Sequence, residues 1–370
     1  MTGVDVLLVV EHLRRSMSSG ISTYSLGLLQ GLAELGGDGA PSLTLHASRA
    51  PRNGPDPLAE HGHRVVASPL PGPMLTRAWD RGLAAAPATE ADVLHSTSLA
   101  FPPLAKAPPA SVMVHDTAWR DVPEAYPTRG RKWHEAALQR AIAHARHLLV
   151  PAQVAADALV AAGAPAAKVV VIEEGSDHLP SADLDGAQRV LDRLGVREGF
   201  LLTVGTLQPR KNLRRLLEAY ALARHELPEP WPLVVVGAAG WGDAIAERDV
   251  PHGVLLAGEV RGAELAGLYR KARCLAFVPL VEGFGLPPLE AMRECTPVVA
   301  SPVPSVAGTG AALEVDPHDV KAIAAGLVRA SSDDRVRSEL VTAGLQRSGE
   351  LTWKAVAADH VALWESMMAR

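Results

Sequence analysis

The sequence predicts an α/β protein made of two doubly wound parallel halves, and three observations carry that reading. Apolar runs rich in β-branched residues, the mark of strands buried on both sheet faces, recur along the chain. Several of them end in a glycine-containing loop followed by a helical stretch, the unit from which parallel sheets are built. The pattern opened by Val4-Asp5-Val6-Leu7-Leu8-Val9-Val10 restarts at Phe200-Leu201-Leu202-Thr203-Val204, and 370 residues exceed what one core usually holds. The halves are expected at 1–180 and 181–351, facing each other across a cleft.

In chain order, the first strand is followed by a polar loop through Ser18-Ser19-Gly20-Ile21-Ser22. A helix follows in which Tyr24, Leu28, Leu32 and Leu35 share a face. Strands are expected at Leu43–His46, Arg64–Ser68, Ala91–His95 and Ser111–Val114, the last ending in the polar pair His115-Asp116. Ligands of open α/β sheets sit at the carboxyl ends of strands, so His115 is placed to face one. A helical stretch from Arg129 to Arg146 carries five cations. It reads as a solvated face or as a contact for an acidic membrane. Val170-Val171-Ile172 closes the first half, and a linker is expected to about Gly186.

In the second half, the strand ending at Gly205 leads through Gln208-Pro209-Arg210-Lys211-Asn212 into a helix to about Glu226. Strands are expected at Leu233–Gly237 and Val254–Gly258. The glycine-rich Ala238-Ala239-Gly240-Trp241-Gly242 follows the former, and Glu259-Val260 the latter. A helix (264–272), a strand from Cys274, a strand near Val298, two helices between Ala322 and Gly349 and a last helix from Trp353 to Met368 complete the chain.

The stretch that organises the chemistry is Val281-Glu282-Gly283-Phe284-Gly285-Leu286-Pro287-Pro288-Leu289-Glu290. It reads as strand, glycine turn, helix start: Gly283 and Gly285 free the backbone to approach a ligand, and proline suits a first helical turn. A helix start offers peptide N–H groups and the positive end of its dipole to an anion. Glu282 and Glu290, flanking that point, can each accept two neighbouring hydroxyls. A nucleotide sugar, with ribose, diphosphate and hexose in line, has that chemistry. Arg210 and Lys211 stand side by side near a helix start, where the dipole disfavours cations, so an anion is expected beside them.

Composition narrows the classes. A net charge of −5 argues against a general nucleic-acid binder, and 48% hydrophobic residues suit globular cores. Two cysteines, Cys274 and Cys295, show neither metal spacing nor a disulfide framework. With no signal peptide and no membrane-length apolar run, a cytoplasmic location is expected, with peripheral contact at the inner face of the membrane left open.

Glu282 and Glu290, with the seven residues Gly-Phe-Gly-Leu-Pro-Pro-Leu between them, together with Pro209-Arg210-Lys211-Asn212, resemble the signature of retaining family four (group 1) glycosyltransferases. His115-Asp116, followed by Pro123-Glu124-Ala125-Tyr126-Pro127, resembles the mannosyltransferase-like subgroup. The resemblance implies the GT-B fold of two facing Rossmann-like domains, the first for acceptor and the second for donor. It also implies a last helix, 352–370, that returns to the first domain.

The implied reaction transfers a sugar, mannose favoured, from a nucleotide-diphosphate donor to an acceptor hydroxyl of a glycan, glycolipid or natural product. The anomeric configuration is retained and neither metal nor cofactor is expected. His115, Glu282, Arg210 and Lys211 are the implied catalytic residues. Gly20, Gly205, Arg210, Lys211, Val260, Glu282, Gly283, Phe284, Gly285, Leu286 and Glu290 are the implied donor site, with GDP-mannose the favoured donor. Ser19 and Ser22 stand where the family usually has glycine, and so does Cys295. The loop Pro304–Gly308 is shorter than usual, and Glu174-Gly175-Ser176-Asp177 takes the place of Asn-Gly-Val-Asp or Pro-Gly-Val-Asp. Rival readings are a catalytically silent GT-B binding protein and another GT-B activity, a phosphorylase or epimerase.

Overall fold

The computed structural model describes residues 3–15, 19–37, 40–52, 54–240 and 250–368. Ser18 and the Trp241-Gly242 pair lie outside them. The chain divides into two compact units. Unit 1 comprises Met1–Arg120, Tyr126–His178 and Thr352–Arg370; unit 2 comprises Asp121–Ala125 and Leu179–Leu351.

Among the described residues, unit 1 is built on seven strands: β1 (Asp5–Val9), β2 (Ser42–Ala47), β3 (Arg64–Ala67), β4 (Val93–Ser96), β5 (Ala110–Met113), β6 (His147–Val150) and β7 (Val169–Val171). They lie in the order β3-β2-β1-β4-β5-β6-β7, and every pairing is parallel. The order reverses between β1 and β4. Around the sheet run α1 (Gly20–Leu35), α2 (Gly72–Asp80), the short α3 (Ala118–Asp121), α4 (Thr128–His144) and α5 (Gln153–Ala161). β1 shows why the strands are apolar throughout. Val6 and Leu8 pack into one core with Tyr24, Leu28 and Trp353, whereas Leu7 and Val9 pack into another with Leu75, Trp79 and Leu138.

Unit 2 has β8 (Leu201–Val204), β9 (Leu233–Val236), β10 (Val254–Gly258), β11 (Cys274–Phe277), β12 (Val298–Ala300) and β13 (Leu313–Glu314), in the parallel order β10-β9-β8-β11-β12-β13. Here the order reverses between β8 and β11. Its helices are α6 (Leu184–Arg193), α7 (Leu213–Ala223), α8 (Gly262–Lys271), α9 (Leu286–Arg293), α10 (Val320–Ser332) and α11 (Asp334–Glu350). The final helix, α12 (Trp353–Met368), belongs to unit 1 and packs on α1. Gly27 and Gly31 permit that contact: a Cβ at Gly27 would lie 2.1 Å from the Trp353 ring, and one at Gly31 2.0 Å from the Trp353 carbonyl oxygen.

Several expectations need correction. The linker to Gly186 ends at Asp183, whose side chain caps α6 by accepting from the Gly186 N–H at 2.8 Å; Ala187, Val190 and Leu191 then bury one helical face. α1 begins four residues before Tyr24, with Ser19 as its cap. Arg210 and Lys211 lie in a 3-10 turn, Pro209–Lys211, that precedes α7 rather than in its first turn. That helix ends at Ala223, short of Glu226.

Candidate active site

In unit 2 the sequence motifs converge where the strand order reverses, the place where open α/β sheets bind ligands. Two loops meet there, one after β8 and one after β11. The first is held by Asn212, a left-handed residue at φ 59° that asparagine tolerates better than most. Its buried amide donates to the carbonyls of Val278 at 3.0 Å and Pro317 at 2.8 Å, while its oxygen accepts from Arg215 at 3.0 Å. The Leu280 N–H adds a bond to the Arg210 carbonyl at 2.9 Å. These bonds fix the 3-10 turn against the end of β11.

Both cations of that turn face one carboxylate oxygen. Glu282 Oε2 accepts from Arg210 Nη1 at 3.1 Å and from the Lys211 ammonium. Burial by itself would raise the Glu282 pKa, but the charges of Arg210 and Lys211 outweigh it and hold the carboxyl at about 2. The triad therefore carries a surplus positive charge. Lys211 Nζ also lies 5.0 Å from the centre of the Phe277 ring. Beneath the ammonium is a recess lined by Gly205, Thr206, Leu213, Val235 and Phe277. The two strand ends beside it approach closely: a Cβ at Gly237 would lie 2.1 Å from the Gly205 carbonyl oxygen.

The glycine turn is braced from behind. Ser305 donates its N–H to the Phe284 carbonyl at 3.0 Å and its hydroxyl to the Gly285 carbonyl at 2.7 Å. A trans peptide points its N–H opposite its C=O, so the N–H groups of Gly285 and Leu286 aim away from Ser305. No hydrogen bond among the described residues uses either of them. Pro287 and Pro288 occupy the next two helical positions and bring no N–H. The anion-binding expectation for this helix start is thereby narrowed to two donors. Gly285, at φ 104°, suits only glycine, and a Cβ there would lie 2.9 Å from Ser305 Oγ and from Val303. Glu290 is buried in α9, its Oε2 accepting from the Tyr269 hydroxyl at 2.7 Å.

The remaining expected residues lie on other elements. Val260 is half-buried in the turn between β10 and α8, and no hydrogen bond or ion pair among the described residues joins it to the cation cluster. Gly20 and His115 belong to unit 1. Gly20 is the exposed first residue of α1, where a Cβ would meet nothing within 4 Å. Its neighbour Ser19 accepts from the Ser22 N–H at 3.4 Å. His115 follows β5 with both ring nitrogens engaged: Nε2 with the Thr97 carbonyl at 2.9 Å and Nδ1 with Glu174 Oε1 at 3.2 Å.

Tyr269, Ser305 and Glu174 were not singled out as site residues from the sequence. No motif marks Tyr269, whereas Ser305 lies in the loop Pro304–Gly308 that the resemblance marks as shorter than usual, and Glu174 is a carboxylate where the resembled turn carries asparagine or proline. Among the described residues no group of three or more histidine, cysteine or acidic side chains could hold a metal ion. No described helix is long and apolar enough to cross a membrane.

Comparison with known proteins bears on both units. The model of Glycosyltransferase Family 4 matches residues 18–178, and that of Glycosyl transferases group 1 matches residues 192–347. O-antigen chain mannosyltransferase B of Escherichia coli is 32% identical over 252 residues, which are 65% of this chain; the match spans 66% of the relative's length. Two solved structures share the fold. Sucrose-phosphate synthase from Thermosynechococcus elongatus has a TM-score of 0.74 at 20% identity, covering 99% of each chain. Anabaena HepE in complex with UDP and glucose has a TM-score of 0.72 at 17% identity, covering 98% of this chain and 100% of that one. The two parallel sheets with their reversed strand orders are those of the GT-B fold, and the chain belongs to the group 1, family 4 glycosyltransferases.

Proposed function

We propose that this protein transfers a sugar from a nucleotide-diphosphate donor to an acceptor hydroxyl with retained anomeric configuration. The observation that carries the reading is the pair of cations on a single Glu282 oxygen at the β8/β11 switch point. A diphosphate offers those cations more oxygens than Glu282 does. When it binds, Arg210 and Lys211 turn to phosphate and the Glu282 carboxylate is released to hydrogen-bond sugar hydroxyls. The N–H groups of Gly285 and Leu286 complete the cradle. Fixed cations and peptide dipoles aimed at the departing diphosphate lower the barrier by stabilising charge that grows in the transition state. In this scheme charge compensation comes from side chains, and no metal is called for. Glu290, oriented by Tyr269, serves the ribose.

The donor goes to unit 2 and the acceptor, a glycan, glycolipid or small natural product, to unit 1. Mannose is the proposed sugar and GDP-mannose the proposed donor, in line with the name of the Escherichia coli relative. HepE, which holds UDP and glucose, makes UDP-glucose the alternative to test. The cations of α4 support peripheral contact with an acidic membrane face. Calorimetry with GDP-mannose, UDP-, ADP- and dTDP-sugars decides the donor, and the anomeric configuration of the product decides retention. Lys211→Ala is expected to weaken donor binding about 10- to 100-fold, the usual worth of a charge-assisted hydrogen bond. Unchanged affinity removes Lys211 from the diphosphate site.

A further inference from the structure

His115 meets two groups that only accept. The Thr97 carbonyl has no proton to give, and a carboxylate at Glu174 has none either. A ring that donates from both nitrogens at once is an imidazolium. We propose that Glu174 is a positioning residue that holds His115 doubly protonated, so that unit 1 presents a fixed positive charge to its substrate from the carboxyl end of β5. The inference rests on the glycosyl-transfer reading for what that charge serves, but not for whether it exists.

The setting is built for it. Glu174 is 4% exposed and the His115 side chain 16% exposed, so little water competes for the bond. The Glu174 loop is clamped by α12: the Trp353 N–H donates to Asp177 Oδ1 at 2.8 Å, and a Cβ at Gly175 would lie 2.5 Å from the Trp353 nitrogen. Tyr24 on α1 sets its ring edge-on to His115 at 4.9 Å between centroids, which fixes the imidazole plane. Of the charged and titratable groups around the ring, Asp116 and Glu174 favour the cation, and burial opposes it. Burial pushes His95 on β4 and His12 in the turn after β1 towards neutrality, and nearby cationic groups, His115 among them, add to it. The balance raises His115 above its ordinary value of 6.5: burial pulls it down, and the Glu174 carboxylate more than reverses that. A neutral amide in place of this carboxylate could accept from Nδ1 but would bring no charge to hold a proton there.

With both nitrogens spent, His115 acts on substrate through its charge and ring edge rather than as a free hydrogen-bond donor. The test is a histidine Cε1–H NMR titration of the full chain, the His115 resonance identified by its loss in His115→Asn. In the wild type it titrates above 6.5. In Glu174→Gln the midpoint falls below that value, by at least about one unit, the scale of a lost buried ion pair. Glu174→Asp keeps the charge and recovers most of the shift.

In kinetics, the alkaline limb of kcat moves to lower pH by the same amount in Glu174→Gln, while the donor KM stays put. A wild-type His115 that is unprotonated at pH 6, the neutral pair with Glu174 donating, overturns the proposal. So does an unchanged midpoint in a folded Glu174→Gln. If no sugar nucleotide is turned over, the transfer reading fails but the titration still decides the ion pair. If Glu174→Gln does not fold, the wild-type and Glu174→Asp titrations decide it.

Discussion

Glu174 in unit 1 and Glu282 in unit 2 are both low-exposure carboxylates at the carboxyl ends of parallel sheets, yet they do opposite things. Glu282 sits between two cations, so its triad carries a surplus positive charge. Glu174 faces a single imidazole, and the charge there exists only while His115 keeps its second proton. One unit sets two cations on one carboxylate, the other a single imidazole. The contrast extends inward. The fully buried polar centre of unit 1 is a chain of neutral groups whose direction follows from their chemistry. Ser111 donates to His95 Nδ1 at 2.8 Å, and His95 Nε2 donates to the Tyr24 oxygen at 3.3 Å. The Tyr24 hydroxyl donates to His360 Nε2 at 2.7 Å, and His360 Nδ1 donates to the Val356 carbonyl at 2.7 Å.

The comparison is broken most forcefully at Glu282. Glu282→Ala leaves Arg210 and Lys211 without their carboxylate and removes the group assigned to sugar hydroxyls. Turnover of the sugar nucleotide is expected to fall about 100-fold, roughly 2.7 kcal/mol, with a much smaller loss of affinity for the bare nucleotide diphosphate. Equal losses for the two ligands, measured by calorimetry beside kinetics, separate Glu282 from the sugar.

A second test reads the titratable interior of unit 1. His360 is fully buried, and burial lowers its pKa from 6.5 to about 4, the Val356 carbonyl opposing the shift only in part. Above 6.5 both folded and unfolded chains hold it neutral, so its effect is constant. Between 6.5 and about 4 the unfolded chain binds a proton that the folded one refuses, and stability declines as pH falls. The decline attributable to this ring is about 3 kcal/mol, and His360→Gln should flatten it in urea melts taken across that range. A slope unchanged by the substitution assigns the acid sensitivity elsewhere.

The smallest effect is expected within unit 2. Its two non-glycine left-handed residues among those described are Asn212 and Cys295, both at φ 59°. Asn212 offsets its strain with two buried hydrogen bonds. Cys295 has no such bonds: it ends α9 as the left-handed residue of a Schellman turn, where the Cys295 N–H donates to the Met292 carbonyl at 3.1 Å and the Thr296 N–H to Ala291 at 2.9 Å. Cys295→Gly is expected to stabilise the protein by about 1 kcal/mol, seen as a higher urea midpoint at unchanged slope. A lower midpoint means that the thiol has packing value there.

What was legible in the sequence was local. The cations Arg210 and Lys211, the Glu282 turn and the start of α9 lie in unbroken strings whose backbone chemistry dictates their shape. The sheet strands with strong apolar runs were equally plain. Short amphipathic pieces were not. The linker expected to about Gly186 runs over the start of α6, because Ser181-Ala182-Asp183-Leu184-Asp185-Gly186 has loop chemistry, although Asp183 is a cap and Ala187, Val190 and Leu191 share a face. Least visible were contacts made across the sequence. His115 meets Glu174 59 positions later, Glu290 meets Tyr269 21 positions earlier, and Tyr24 meets His360 336 positions away. No periodicity encodes such pairs. The narrowing of the helix start to two N–H donors was present in the letters Pro287-Pro288, whose fixed φ signals a helix start and whose missing hydrogens limit what that start can hold.

The Schellman turn has a practical corollary. Cys274 is wholly buried, and burial pushes its thiol up to about 12, so it resists alkylation while the chain is folded. Cys295 is exposed at the far end of an eight-residue helix whose first turn carries N–H groups proposed for the donor diphosphate, about 12 Å away at 1.5 Å per residue. A maleimide dye therefore attaches at one place without mutagenesis, and its emission can report when the donor arrives.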